Sequence, residues 1–185
     1  MKVVIDGNIG AGKTTQLNIL EKKGFSVQRE PIEQWPLEDF YKDPSRWSFY
    51  FHMVILRTLQ PVSDTGTIFI ERSLLSSRYV FWPLLVDKGL VSPGEDSVYS
   101  YFYEKFKWEP DIYIFLSKTP ENSFMHIQNR QQDGDSDISF EYLEELDNRY
   151  KKLLKTIKCP VIIIDANKTP EEIHNEIIAN IFPSQ

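Results

Sequence analysis

The 185-residue sequence contains a single cysteine, Cys159. One thiol excludes an internal disulfide framework and a cysteine-rich zinc site. It reads instead as a small buried hydrophobe at a strand start, in keeping with a reducing compartment. Positive charge is also scarce, since 21 Lys and Arg stand against 27 Asp and Glu and give a formal charge of −6. That balance argues against the broad phosphate-tracking surface of a nucleic-acid binder, so any anion has to be held locally. Long apolar runs are missing as well. The longest, near Tyr79 to Val86, is interrupted by Pro83 and too short to cross a bilayer, and no signal-like segment precedes the first strand. A soluble, cytoplasmic protein with neither membrane nor nucleic-acid partners is therefore expected. No repeat, linker or low-complexity block divides the chain, and a content of 41% hydrophobic residues suits one domain spanning 1–185 with its own core.

What is present is an alternation of short β-branched runs with amphipathic stretches. Lys2 to Asp6 reads as a strand, followed by a Gly-rich loop and a helix carrying Leu17, Ile19 and Leu20 that Gly24 ends. Phe25 to Arg29 is a second strand, stopping before Glu30-Pro31. Pro44 opens a helix to about Leu59, Thr67 to Ile70 is a third strand, and Ser73 caps a helix over Leu74 to Lys88 in which Pro83 predicts a kink or an early end. Further helices are expected from Glu95 to Trp108, after Thr119-Pro120-Glu121, from Phe140 to Thr156 and from Pro170 to Ile181, with strands at Asp111 to Leu116 and Val161 to Ile164. Unbroken Val/Ile/Leu strands separated by helices describe an α/β fold, a five-stranded parallel sheet covered by helices on both faces. Ligands of such sheets bind at the carboxyl ends of the strands, where the loop from Gly7, the pair Glu30-Pro31 and the run Glu71-Arg72-Ser73 all fall.

Residues 7 to 15 read GNIGAGKTT, which satisfies GxxxxGK[ST] with a strand before it and a helix after it. Gly7, Gly10 and Gly12 let the backbone of Gly7, Asn8, Ile9, Gly10, Ala11, Gly12, Lys13, Thr14 and Thr15 turn its N–H groups inward, and the helix start adds partial positive charge. Lys13 would reach the β and γ phosphates of ATP, and the Thr14 hydroxyl would ligate Mg2+. A loop of oriented N–H groups holds a triphosphate without a basic exterior, which reconciles anion binding with an acidic chain.

GTPases, ATPases and small-molecule kinases share this loop. The residues that separate them are REPIEQW from Arg29, YKDPSRW from Tyr41, ERSLLSSRYVF from Glu71, PDIYIFL from Pro110 and FEYL from Phe140. With the phosphate loop, their order and spacing resemble the deoxyribonucleoside kinase family through nearly the whole chain. The resemblance implies a P-loop nucleoside kinase fold and ATP-dependent phosphorylation of a deoxynucleoside 5′-hydroxyl. It makes Glu30 the general base and Arg72 the group holding the 5′-oxygen and the base carboxylate, with Glu71 a magnesium partner of Thr14. Lys13 and Arg130 would bear on the transferring group, under a lid at about 130–138. Phe51 and Phe81 would sandwich the base, Ile9 and Trp35 line the pocket, and Ile55, Leu59 and Ser77 surround the base edge. Tyr41 and Asp135 would hold the sugar 3′-hydroxyl. Leu59 and Ser77 stand where deoxycytidine and purine kinases of the family carry a charged pair, which points to a pyrimidine, thymidine first. A homodimer is also implied, the aromatic stretch Tyr79 to Trp82 being one candidate surface.

Three departures stand out. His52 replaces a glutamine that reads the base edge, His126 and Gln132 replace two lid arginines, and the stretch between Trp35 and Tyr41 is short, removing part of a roof. Two other readings stay open. A thymidylate kinase shares the phosphate loop but has a Gly-rich continuation where this chain has EPIEQW, and an Asp-Arg pair where it has ERS. A non-catalytic nucleotide-binding relative would explain the depleted lid, though not the intact Lys13, Thr14, Glu30 and Arg72.

Overall fold

In the computed structural model, which describes residues 1–62, 65–130 and 138–183, the backbone follows the expected alternation closely. Five strands, β1 (Lys2–Gly7), β2 (Ser26–Gln28), β3 (Ile68–Glu71), β4 (Ile112–Ser117) and β5 (Val161–Asp165), form one parallel sheet in the order β2-β3-β1-β4-β5. The phosphate-loop strand is central, so its C-terminal end lies between those of β3 and β4.

Helices cover both faces because the strands are apolar on both. Val3, Ile5, Phe69, Ile114 and Leu116 pack on Leu17 and Leu20 of α1 (Lys13–Lys22) and on Ile173 and Ile177 of α9 (Pro170–Ile181). On the other face Val4, Tyr113 and Phe115 meet Leu146, Tyr150 and Leu153 of α8 (Phe140–Leu153). A further cluster lies beyond the strand ends, between α3 (Pro44–Thr58) and α6 (Pro93–Phe106), where Trp82 and Tyr99 stack with ring centroids 3.8 Å apart. An aromatic pair of this kind adds about 0.5–1.5 kcal/mol beyond its buried area.

The helix ends are set by local chemistry. Asp43 accepts a hydrogen bond from the Arg46 N–H ahead of Pro44, and Ser92 and Thr169 form capping boxes with Glu95 and Glu172. Two segments differ from the sequence expectation. The run from Leu74 is not one kinked helix: α4 (Leu74–Ser76) passes into a π-helical turn over Ser77–Phe81 and then α5 (Trp82–Asp87). Pro83 has no N–H to offer the carbonyl four residues earlier, and the widened turn accommodates that loss. The segment around Trp35 also folds, with a 3₁₀ turn at Ile32–Gln34 before it and α2 (Leu37–Lys42) after it. Its helical period is too brief to register in the sequence. The remaining helix, α7 (Pro120–Arg130), follows β4. Cys159, just before β5, is half-buried rather than enclosed. No described helix is long and apolar enough to cross a membrane.

Candidate active site

The phosphate loop is built by backbone conformations that glycine alone adopts easily. Gly10 and Gly12 have φ of 79° and 95°. Gly10 also lies so close to α7 that a Cβ would come within 2.8 Å of the Ser123 carbonyl oxygen. The Lys13 ammonium donates to the carbonyls of Gly7 (3.1 Å) and Asn8 (3.0 Å), which keeps it over the loop. Burial, aided by the Arg72 charge, lowers its pKa to about 8. Asn8 was expected to serve the phosphates through its backbone N–H, and its side chain is committed elsewhere: the amide donates to the Leu143 carbonyl of α8, and Oδ1 accepts from the Ile9 N–H. Only its backbone is left for the cradle. Thr15 sits exposed in the first turn of α1.

Beside the loop the ends of β1, β2 and β3 converge on a buried charge cluster. The Arg72 Nε donates to Glu30 at 3.1 Å, its Nη1 lies 3.5 Å from Asp6 Oδ1, and Nη1 also donates to the Tyr150 hydroxyl. Asp6 is fully buried and accepts from Tyr113 (2.7 Å), Tyr150 (2.9 Å) and the Gly7 N–H (2.7 Å). Thr14 donates to Glu71 Oε1 at 2.8 Å. Arg72 has φ of 61°, a left-handed conformation that costs a non-glycine residue about 1–3 kcal/mol. Hydrogen bonds to charged groups are worth about 1.5–3 kcal/mol each, so the contacts outweigh the strain.

The charges in this cluster tune one another. Burial raises the pKa of Glu30, and the nearby Glu71 and Asp6 add to the rise, while Arg72 and Lys13 oppose it. Burial acts to weaken the Arg72 cation, yet Tyr150, Glu30, Asp6 and Glu71 hold its pKa above the ordinary value. Asp6, Tyr113 and Tyr150 were not anticipated from the sequence. The available signal was an acid inside the apolar run VVID, since a buried carboxylate requires donors.

From this cluster a cavity of about 460 Å³ extends away from the sheet, a size typical of small-molecule sites. Its lining includes Ile9, Glu30, Trp35, Tyr41, Phe51, His52, Ile55, Leu59, Arg72, Ser77 and Phe81, all expected from the sequence. It also includes Ile32, Leu37, Phe40 and Tyr142, which were not. The pocket therefore retains a roof, supplied by α2. The aromatic pair is more constrained than a simple sandwich, because Phe40 packs on Phe51 with ring centroids 4.8 Å apart and the Arg72 guanidinium lies 4.9 Å over the Phe81 ring. Each ring thus has one side already in contact.

A phosphate loop, a carboxylate held by a strand-end arginine and an apolar cavity beside them make a phosphotransferase site. The family model for deoxynucleoside kinases matches residues 3–183. The chain belongs to the deoxynucleoside kinase family. A probable deoxycytidine kinase of fowlpox virus is 33% identical over 206 residues, covering 98% of this chain and 86% of that protein. A putative kinase of invertebrate iridescent virus 3 is 30% identical over 185 residues, with 95% and 93% covered. The solved structure of a deoxyadenosine kinase from M. mycoides, with products dCMP and dCDP bound, superposes with a TM-score of 0.86 at 26% identity over 98% of each chain. The chain is accordingly a deoxynucleoside kinase with the P-loop kinase fold, and neither the thymidylate kinase nor the non-catalytic reading is favoured.

Within this deoxynucleoside kinase, the expected base, arginine and metal pair come together as neighbours. Arg130 ends α7, but its side chain, together with Gln132, Asp135 and most of the lid at 130–138, lies outside the described residues. His126 is exposed on α7. Glu33, the other acid of the REPIEQW run, is exposed on the 3₁₀ turn. Trp82 is 1% exposed and belongs to the core, so it contributes no dimer surface, whereas Tyr79 is 46% exposed.

Tyr150 supplies a prediction specific to this cluster. Tyr150→Phe removes a hydroxyl that accepts from Arg72 and donates to Asp6, so kcat should fall about tenfold or more, by the worth of one charge-assisted bond. The guanidinium would settle nearer Asp6 and withdraw from Glu30, moving the acid limb of the kcat/KM profile to higher pH. An unshifted limb would reduce Tyr150 to a packing residue.

Proposed function

We propose that this kinase transfers the γ-phosphoryl group of ATP to the 5′-hydroxyl of a pyrimidine deoxynucleoside, thymidine first. The observation that carries the reading is the 3.1 Å contact of Arg72 with Glu30 at the mouth of the phosphate loop. Glu30 accepts the 5′-hydroxyl proton as the oxygen bonds to phosphorus and the bond to the ADP oxygen breaks. Arg72 favours the ionised form of Glu30 against the effect of burial and holds the 5′-oxygen. Lys13 sits against the β and γ phosphates, and Arg130 of the lid adds a second cation. Tyr41 and Asp135 hold the 3′-hydroxyl.

Thr14 and Glu71 fit Mg2+, a hydroxyl and a carboxylate oxygen 2.8 Å apart at a helix N-terminus being the hard oxygen donors that ion takes alongside phosphates and water. When bound, the ion would neutralise charge on the phosphates.

The residues expected to meet the base edge are uncharged, the charged groups of the lining being Glu30, Arg72 and Lys88. Ile55, Leu59 and Ser77 carry no charge, and burial lowers the His52 pKa to about 3, so His52 is uncharged throughout the physiological range. Such a wall suits the methyl-bearing edge of thymine better than an edge that needs a charged partner. Deoxycytidine is the second reading, because the fowlpox relative is named a probable deoxycytidine kinase. The proposal includes a cytoplasmic homodimer, for which the exposed Tyr79, Tyr101, Phe102 and Phe106 supply apolar surface.

The test is a panel of the four deoxynucleosides and thymidylate with ATP and Mg2+. Thymidine should give the highest kcat/KM, and thymidylate none. A preference of tenfold or more for deoxycytidine or a purine would overturn the base assignment while leaving the family intact.

A further inference from the structure

His52 of α3, Ser77 of the π-helical turn and Tyr99 of α6 form a polar chain running from the cavity wall into the core. His52 Nδ1 lies 3.3 Å from Ser77 Oγ, and Ser77 Oγ lies 3.1 Å from Tyr99 Oη. Tyr99 is 0% exposed and does not line the cavity, so water is not available to repair an unpaired phenol. Hydrogens can be assigned by accounting. Ser77 is the one hydrogen-bond partner of Tyr99 Oη among the described residues. If Ser77 donated to Tyr99, the phenol hydrogen would be left in the interior without an acceptor, at the full desolvation penalty of a buried donor. Tyr99 therefore donates to Ser77 Oγ, and the Ser77 hydrogen passes on to His52 Nδ1.

A neutral imidazole carries a single N–H, and with Nδ1 accepting, that hydrogen resides on Nε2. Nε2 has no hydrogen-bond partner among the described residues, and it is not one of the sealed, unpaired polar atoms, which are confined to Gln16, Ser123 and His174. His52 lines the cavity. The remaining direction for Nε2–H is into the pocket.

We propose that His52 is a specificity-determining residue that presents an N–H donor to a carbonyl oxygen or bare ring nitrogen of the base, and that Tyr99, acting through Ser77, is the positioning residue that fixes this tautomer. The ligand class rests on the deoxynucleoside reading above; the tautomer does not. A glutamine in this place offers a donor and an acceptor together, whereas His52 in this arrangement offers only the donor. Base selection is thereby coupled to α6, an element outside the cavity lining.

The test reads the tautomer directly in the whole protein. With three histidines in the chain, long-range ¹H–¹⁵N NMR resolves each ring, and His52→Gln assigns its signals. The expected spectrum is neutral Nε2–H for His52 from pH 5 to 8 without substrate. A dominant Nδ1–H pattern overturns the proposal. Tyr99→Phe keeps the ring stacked on Trp82 but deletes the donor, which frees Ser77 to accept from His52. It should yield a mixture of tautomers and raise the deoxynucleoside KM about fivefold, with kcat nearly constant. Unchanged tautomer and KM in that variant overturn the role of Tyr99. Should thymidine fail in the substrate panel while the Nε2–H pattern is present, the base assignment fails and the donor at His52 stands.

Discussion

Glu30→Gln is expected to lower kcat by about 10²- to 10⁴-fold, the range supplied by a positioned general base, while leaving ATP binding nearly unchanged. Glutamine keeps the size of the side chain and one acceptor oxygen for Arg72 Nε, so the cluster should persist without the proton acceptor. A steady-state comparison of kcat, with nucleotide binding measured separately, checks this. Undiminished turnover would remove Glu30 from the mechanism. The pH dependence follows from the same surroundings. Burial, with Glu71 and Asp6 nearby, raises the Glu30 pKa, and the base works only when ionised. Activity in the native enzyme should therefore fall as pH drops through that raised value, and Glu30→Gln should lack this acid limb.

Lys13→Met is expected to reduce kcat/KM for ATP by about 10²-fold or more, since a buried cation beside transferring phosphates stabilises charge at low dielectric. Methionine retains the aliphatic stem, so the loss reports the ammonium. The native profile should also show a basic limb. With its pKa lowered to about 8, Lys13 of the free enzyme is charged below that pH and loses its proton above it, so kcat/KM for ATP should decline as pH rises through 8. Bound polyphosphate favours the charged form, which places the limb in kcat at higher pH. A profile flat from pH 7 to 9.5 would show that Lys13 carries no titrating charge relevant to ATP.

The parts of this site that were legible in the sequence share a common property, which is that their chemistry is local. GNIGAGKTT specifies a turn through glycine conformations within nine residues, and Glu30 and Arg72 sit at strand ends whose boundaries proline and β-branched runs declare. The expected pocket residues from Trp35 to Phe81 do line one cavity. The part of the roof that α2 supplies was not legible because α2 has only six residues, and its side chains acquire a purpose only when packed over the cavity. Trp82, read as surface, is core because the π-helical turn ahead of Pro83 rotates it onto Tyr99. The Asn8 side chain, for which the sequence offered no role, is spent on Leu143 of α8, 135 positions away.

The sequence by itself determined the parallel sheet, the phosphate loop and the family, because periodicity, glycine placement and motif order all act over short spans. Tertiary structure alone decided the electrostatic state of the site. Asp6, Tyr113 and Tyr150 come from three elements far apart in the chain and become a support for Arg72 only where the sheet and α8 bury them together. The polarity of His52 likewise depends on a phenol 47 residues later in sequence, reached through Ser77. Charge and proton position are set by what surrounds a group once water is excluded, and no spacing along the chain records that.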